Sequence, residues 1–154
     1  AAALEDPASW CGVIVDGHHV HPASLRLAHR AKPPGKLMLV SDAMPCVGST
    51  VGRFQLGDEW IEARDGRCTT ADGRLAGSAL GMAAAVRNAV RLLELPLEEA
   101  LRMASLYPAQ FLGLAQHLGR IAVGCEADLV LLDDDLAVRA TWISGERQDV
   151  AAPA

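Results

Sequence analysis

The sequence predicts an α/β fold, and three observations carry that expectation. A strand, helix, strand pattern occupies the first 50 residues. Hydrophobic residues make up 51% of the 154 and charged residues 21%, which is the composition of an ordinary folded domain. Asp-Gly and Gly-Asp pairs then punctuate the middle of the chain at hairpin spacing. Aromatic residues are only 4%, so small aliphatic side chains must fill the core, and the alanine run from Ala83 to Ala85 points to closely packed helices.

The first strand is read over 12–15, a short apolar, β-branched run closed by the polar turn group Asp16, Gly17, His18 and His19. Pro22 suits the first turn of a helix, where its missing N–H costs nothing. The helix over 22–31 places Leu25, Leu27 and Ala28 among basic residues and is stopped by Pro33, Pro34 and Gly35. The run 36–40 is too continuously apolar for a strand with one wet face and is expected to be buried on both sides. Strands joined by a helical crossover are parallel, so their carboxyl ends emerge on one edge of the sheet. That geometry sets Asp16, His19 and Asp42 near one rim, where ligand sites of parallel α/β sheets gather.

From Arg53 the pattern becomes an antiparallel meander, with strands over 54–56, 60–63 and 67–70 separated by Gly57-Asp58 and Asp65-Gly66 and followed by Asp72-Gly73. Ser78 is placed as the cap of a helix over 79–93, in which Met82, Val86, Ala89, Val90 and Leu93 recur at helical spacing. A second helix follows Pro96 over 97–106, and Pro108 opens a third, short one ending near Gly113. Two strands over 127–132 and 138–144, joined by Asp133, Asp134 and Asp135, close the fold. The tail over 146–154 is expected to be disordered.

Composition excludes several classes. A net charge of −5, with no stripe of lysines and arginines, argues against a nucleic-acid partner. Cys11, Cys46, Cys68 and Cys125 form no C-x-x-C pair, which removes zinc-knuckle and thioredoxin-like readings and fits a reducing, cytoplasmic setting. The first ten residues lack the basic and apolar regions of a secretory signal, and no uncharged apolar run reaches the roughly 18 residues of a membrane span. No membrane partner is therefore expected. The absence of G-x-S-x-G, G-x-x-x-x-G-K-[ST] and G-x-G-x-x-G strings removes the usual serine hydrolase, P-loop and Rossmann readings. The length is too short for a whole (β/α)₈ barrel, which takes about 250 residues.

Asp42 is the leading candidate for chemistry. A buried strand delivers it to a loop between Ser41 and Ala43, where a carboxylate could take a proton from water and return it to a leaving amine. A turn or capping aspartate explains the same position. The cluster from Asp16 to His21 holds three histidines. In an extended segment His19 and His21 share a face, so the pair could chelate zinc, although two ligands do not complete a site. Hydrogen bonding to hydroxyl or phosphate oxygens of a substrate is the competing role. The segment Arg74, Leu75, Ala76, Gly77, Ser78 precedes a helix and could admit an anion close to its backbone, or simply connect a hairpin to that helix. His29 and His117 lie on a basic helix and in a loop, and the three aspartates 133–135 read as an acidic turn.

Several strings taken in order resemble one family. They are Gly12-Val-Ile-Val-Asp-Gly-His-His-Val, Leu39-Val-Ser-Asp-Ala-Met, Gly73-Arg-Leu-Ala-Gly-Ser-Ala-Leu, Ala100-Leu-Arg-Met-Ala-Ser-Leu-Tyr-Pro-Ala, and Gly119-Arg-Ile-Ala-Val-Gly-Cys-Glu-Ala-Asp-Leu-Val-Leu-Leu-Asp. Together they look like the N-acetylglucosamine-6-phosphate deacetylases, a family of the amidohydrolase superfamily, over roughly 3–145. The last block alone indicates only the superfamily; the Asp-Gly-His-His and Leu-Ala-Gly-Ser segments narrow it.

The resemblance implies the C-terminal fragment of a (β/α)₈ barrel plus strands of a small β-sandwich. The last βαβ portion of the barrel falls over 1–50, β-hairpins and a substrate loop over 51–78, C-terminal helices over 79–118, and sandwich strands over 119–145. It also implies hydrolysis of N-acetylglucosamine-6-phosphate, a phosphorylated amino sugar, to glucosamine-6-phosphate and acetate, assisted by a divalent metal, zinc by expectation. Asp42 matches the family's proton-shuttling aspartate, and His19 its substrate-binding histidine, with Asp16, Gly17 and His18 beside it. Leu75, Ala76 and Gly77 match the loop that closes over the substrate. The family's metal ligands, one glutamate and two histidines, are expected upstream of Ala1, so the isolated chain is expected to be inactive. A homodimer is the expected assembly. Two other readings remain: an amidohydrolase of a different N-acyl or cyclic amide substrate, and a non-catalytic fragment acting as an interaction module.

Overall fold

Cys11–Val13 (β1) and Leu37–Leu39 (β2) pair in parallel, with Cys11 opposite Leu37 and Val13 opposite Leu39. The structure is a computed structural model that describes residues 2–148. The crossover is a helix over Pro22–Ala31 (α2), coinciding with the sequence reading. Pro22 lies in its first turn and His21 caps it, the His21 ring accepting the Ala23 amide at 3.2 Å. An unanticipated turn of helix, Ala2–Glu5 (α1), precedes β1. It is tied to the end of α2 by the buried Lys32, whose Nζ donates to Asp6 O at 2.6 Å and Ser9 Oγ at 2.9 Å. Leu37 and Leu39 are buried and Met38 is half-buried, so the second strand is covered more fully on one face than on the other.

The meander contains four strands, not three. Arg53–Leu56 (β3), Glu59–Arg64 (β4), Arg67–Thr69 (β5) and Leu75–Ser78 (β6) pair antiparallel in sequential order. Asp65 and Gly66 both take positive φ, 51° and 77°, as a tight two-residue hairpin turn requires. The segment read as a connector or closing loop, Leu75, Ala76 and Gly77, is therefore a strand. Its backbone finds partners on β5, with Leu75 opposite Thr69 and Ser78 opposite Arg67 around an irregularity in register.

Met82–Leu93 (α3), Leu97–Ala104 (α4) and Leu106–Phe111 (α5) follow. The first begins three residues later than the sequence reading, with Gly81 at its cap, because the Ser78 hydroxyl is engaged elsewhere. The third starts before Pro108, which sits among the first turn's unneeded N–H positions. Apolar faces of α2, α3 and α4 close over the parallel pair, burying Val15, Leu25, Leu39, Val86, Ala89, Ala100 and Met103 in one core. A smaller cluster of Cys46, Ile61 and Cys68 lies beneath the meander.

Leu129–Leu132 (β7), Val138–Ile143 (β8) and Glu146–Gln148 (β9) form a separate antiparallel sheet. The last strand corrects the disordered tail expected from Glu146. A Ser144-Gly145 turn folds 146–148 back so that Ile143 faces Glu146 and Thr141 faces Gln148; the remainder of that tail, 149–154, lies outside the described residues. Asp133, read as part of an acidic turn, organises the β7–β8 connection by accepting the Asp135 and Ala137 amides at 3.0 and 2.8 Å.

Candidate functional site

Both parallel strands end in polar loops on the same edge of the sheet, and one aspartate stands just past each. Beyond β2, Asp42 is solvent-exposed with φ of 50°, in the left-handed region that residues other than glycine seldom occupy. Such a conformation persists only where its surroundings impose it. Here β6 does so. The Ser78 amide donates to Asp42 O at 2.8 Å, the Met44 amide donates to Ser78 O at 3.0 Å, and Ala43 bridges Ser78 in parallel. The Ser78 hydroxyl donates to Ser41 O and accepts the Leu80 amide at 3.0 Å.

Gly77 is required beside them. Its φ is 79°, and a Cβ there would lie 3.2 Å from Asp42 O and 2.5 Å from Met44 Cγ. Of the loop residues read from the sequence, Gly77 thus abuts Asp42 directly. Ala76 turns into the Cys46–Cys68 cluster and Leu75 stays exposed on β6.

Beyond β1, the Asp16 side chain is 3% exposed and its Oδ2 lies 2.7 Å from His19 Nδ1. Its Oδ1 accepts the His18 and His19 amides, each at 2.9 Å. Burial alone would raise this carboxyl, but the two amides and the His19 imidazole outweigh it and hold the group below its ordinary value. Asp16 is therefore an ionised acceptor, which makes His19 Nδ1 the donor and leaves Nε2 as the nitrogen available to a ligand. Asn88 on α3 fixes the approach to this turn by donating to Val15 O at 2.7 Å. The His18 ring lies beside the β4–β5 turn, where a Cβ on Gly66 would lie 3.6 Å from His18 Nε2.

In the His19 and His21 pair both Nδ1 atoms are engaged, His19 Nδ1 with Asp16 and His21 Nδ1 at the cap of α2. Among the described residues no three His, Cys, Asp or Glu side chains converge. By themselves they do not complete a metal-binding donor set, and they offer proton transfer and hydrogen bonding. Sequence reading missed two features. Ser78 was legible only as a helix cap. The free thiols of Cys46 and Cys68 approach to 3.4 Å across 22 residues of chain, for which no local pattern exists. Burial, the Cys46 thiol and the Asp42 charge push Cys68 up to about 12.

A parallel strand pair presenting carboxylates and an imidazole at its carboxyl edge, flanked by helices, defines a mixed α/β domain with its polar side chains where such sheets bind ligands. The Amidohydrolase family matches residues 2–148, and the chain belongs to that family. It is 47% identical over 137 residues to the N-acetylglucosamine-6-phosphate deacetylase of Bos taurus, covering 88% of this chain and 33% of that protein. It is also 47% identical over 145 residues to the N-acetylgalactosamine-6-phosphate deacetylase of Shewanella sp. (strain ANA-3), covering 94% and 36%. Among solved structures, the N-acetylglucosamine-6-phosphate deacetylase of Pasteurella multocida superimposes with a TM-score of 0.91 at 37% identity, over 96% of this chain and 38% of that one. The chain thus spans about a third of the length of these relatives. No helix among the described residues is long and apolar enough to cross a membrane.

Proposed function

We propose that this chain is part of an amidohydrolase that converts N-acetylglucosamine-6-phosphate to glucosamine-6-phosphate and acetate. The observation that carries the reading is the common edge of β1 and β2, which supplies a carboxylate free to move protons and an imidazole locked to present one nitrogen. Asp42 takes a proton from the attacking water as its oxygen bonds to the acetyl carbon. It delivers that proton to the sugar nitrogen as the C–N bond breaks. His19, oriented by Asp16, directs Nε2 at a substrate oxygen. Asp16 acts through His19, its own oxygens being occupied. Gly77 and its neighbours Leu75 and Ala76 border the sugar.

In this reading residues 1–50 form the last βαβ portion of a barrel, 51–78 the hairpins beside the substrate, 79–118 the terminal helices and 119–148 strands of a small sandwich. A divalent metal, zinc, is held by residues other than those described, and the assembly is a homodimer. The equal identity to a relative named for N-acetylgalactosamine-6-phosphate favours a second substrate, differing at C4 of the sugar.

The test is acetate release by the full-length protein carrying this chain, assayed with both acetylhexosamine 6-phosphates and their unphosphorylated forms. Turnover of either phosphosugar, lost in the Asp42→Asn variant, supports the assignment. Activity on neither overturns it, whereas measurable activity of the 154 residues alone with added zinc would overturn only the expectation that the metal is held by residues outside this chain.

A further inference from the structure

The geometry points to Ser78 as a positioning residue for Asp42, and we propose that its hydroxyl holds the Asp42 carboxylate in its working orientation. The proposal rests on the reading of Asp42 as proton shuttle and deepens it.

A residue's φ and ψ are set by the two peptide planes that flank its Cα. For Asp42 these planes carry the carbonyls of Ser41 and of Asp42 itself, and Ser78 binds both. Its Oγ donates to Ser41 O, and its backbone N–H donates to Asp42 O at 2.8 Å. One residue therefore clamps Asp42 from both sides, and between the clamps Asp42 has φ of 50°. The left-handed region is unfavourable for a residue that carries a Cβ, so Asp42 would relax if either plane were free to rotate.

Ser78 is itself immovable. It is fully buried, its carbonyl accepts the Met44 amide, and its Oγ accepts the Leu80 amide at 3.0 Å. The hydroxyl's single proton is thereby committed to Ser41 O. Alanine at this position leaves the Ser41 carbonyl and the Leu80 amide without their partner while keeping the backbone pair to Asp42. The Ser41–Asp42 plane can then turn, and the carboxylate at its end swings with it. Asp42 forms no side-chain hydrogen bond among the described residues that could hold it in place.

The experiment is a double-mutant cycle in the full-length protein carrying this chain, with kcat and KM for acetylhexosamine 6-phosphate measured in wild type, Ser78→Ala, Asp42→Asn and the double variant. Displacement of a reacting group by about 1 Å costs up to about 10²-fold. The expected result is a fall in kcat of about tenfold or more for Ser78→Ala with KM within about twofold. In the Asp42→Asn background the same change should lower kcat by less than about twofold. A loss of equal size in both backgrounds, or no loss in either, overturns the proposal while leaving the Asp42 assignment standing. Full turnover of Asp42→Asn instead removes the Asp42 assignment and the proposal with it. If Ser78→Ala does not accumulate as folded protein, Ser78→Gly, which likewise removes the hydroxyl, enters the same cycle with the same criteria.

Discussion

Asp16 Oδ2 stands 2.7 Å from His19 Nδ1 while Asp16 Oδ1 receives the amides of His18 and His19. One carboxylate closes the turn after β1 and fixes which imidazole nitrogen faces outward. Asp16→Asn keeps the shape but replaces charge-assisted bonds with neutral ones, and can present an amide NH₂ to His19 in place of an acceptor. The loss is expected to be about 2 kcal/mol at neutral pH. The Asp16 carboxyl is held below its ordinary value in the folded chain by the His18 and His19 amides and the His19 ring, so its contribution is fully present above the unfolded value, about 3.9. It is lost as pH falls through the folded value. The gap in Tm between wild type and variant should therefore be constant from about pH 5 upward and close in stronger acid; a gap undiminished at pH 2 would show that the charge is not its source.

Asp42 separates stability from turnover. Its left-handed backbone favours glycine, and its side chain is exposed. Asp42→Gly should be more stable than Asp42→Ala by about 1 kcal/mol, with both variants losing about 10³-fold in kcat. Denaturant unfolding and steady-state kinetics of the same two preparations check both halves. Equal stabilities would deny the strained backbone, and retained turnover would deny the proton-transfer role.

Much of this arrangement was legible in the sequence because it depends on local signals. Pro22, the Pro33-Pro34-Gly35 stop and two short apolar runs suffice for the parallel pair, and the pair alone puts Asp16, His19 and Asp42 on one edge. What escaped depends on contacts between distant segments. Ser78 read as a helix cap because serine before a helical run usually is one; its bond to Ser41 O spans 37 residues. Leu75–Ser78 looked like a connector because of its small residues, and its strand character comes from β5. The β9 strand was missed although Ser144-Gly145 is a turn signal, since three polar residues carry no strand pattern of their own.

Gly77→Ala tests the seam between β6 and the Asp42 loop. The new methyl would meet Met44 Cγ at 2.5 Å and Asp42 O at 3.2 Å from a backbone with φ of 79°. Met44 can move aside, but the carbonyl and the backbone angle cannot be relieved that way. A destabilisation of about 1–3 kcal/mol is expected, accompanied by lower kcat. Adding Met44→Ala should recover only part of the stability, which calorimetry of the two variants measures; full recovery would reduce the effect to the Met44 clash.

The four cysteines should divide by reactivity according to burial and ionisation, not by sequence. Thiolate is the reactive form, and Cys68, fully buried and pushed up to about 12, supplies almost none at pH 8. Cys46 is buried against it at 3.4 Å, whereas Cys11 and Cys125 are only half-buried. Alkylation of native protein with iodoacetamide at pH 8, followed by peptide mass spectrometry, should label Cys11 and Cys125 and leave the other two unlabelled until denaturant is added. Rapid native labelling of Cys46 and Cys68 would mean that the meander opens from the Asp42 loop on the timescale of the reaction, and that the clamp made by Ser78 is not rigid.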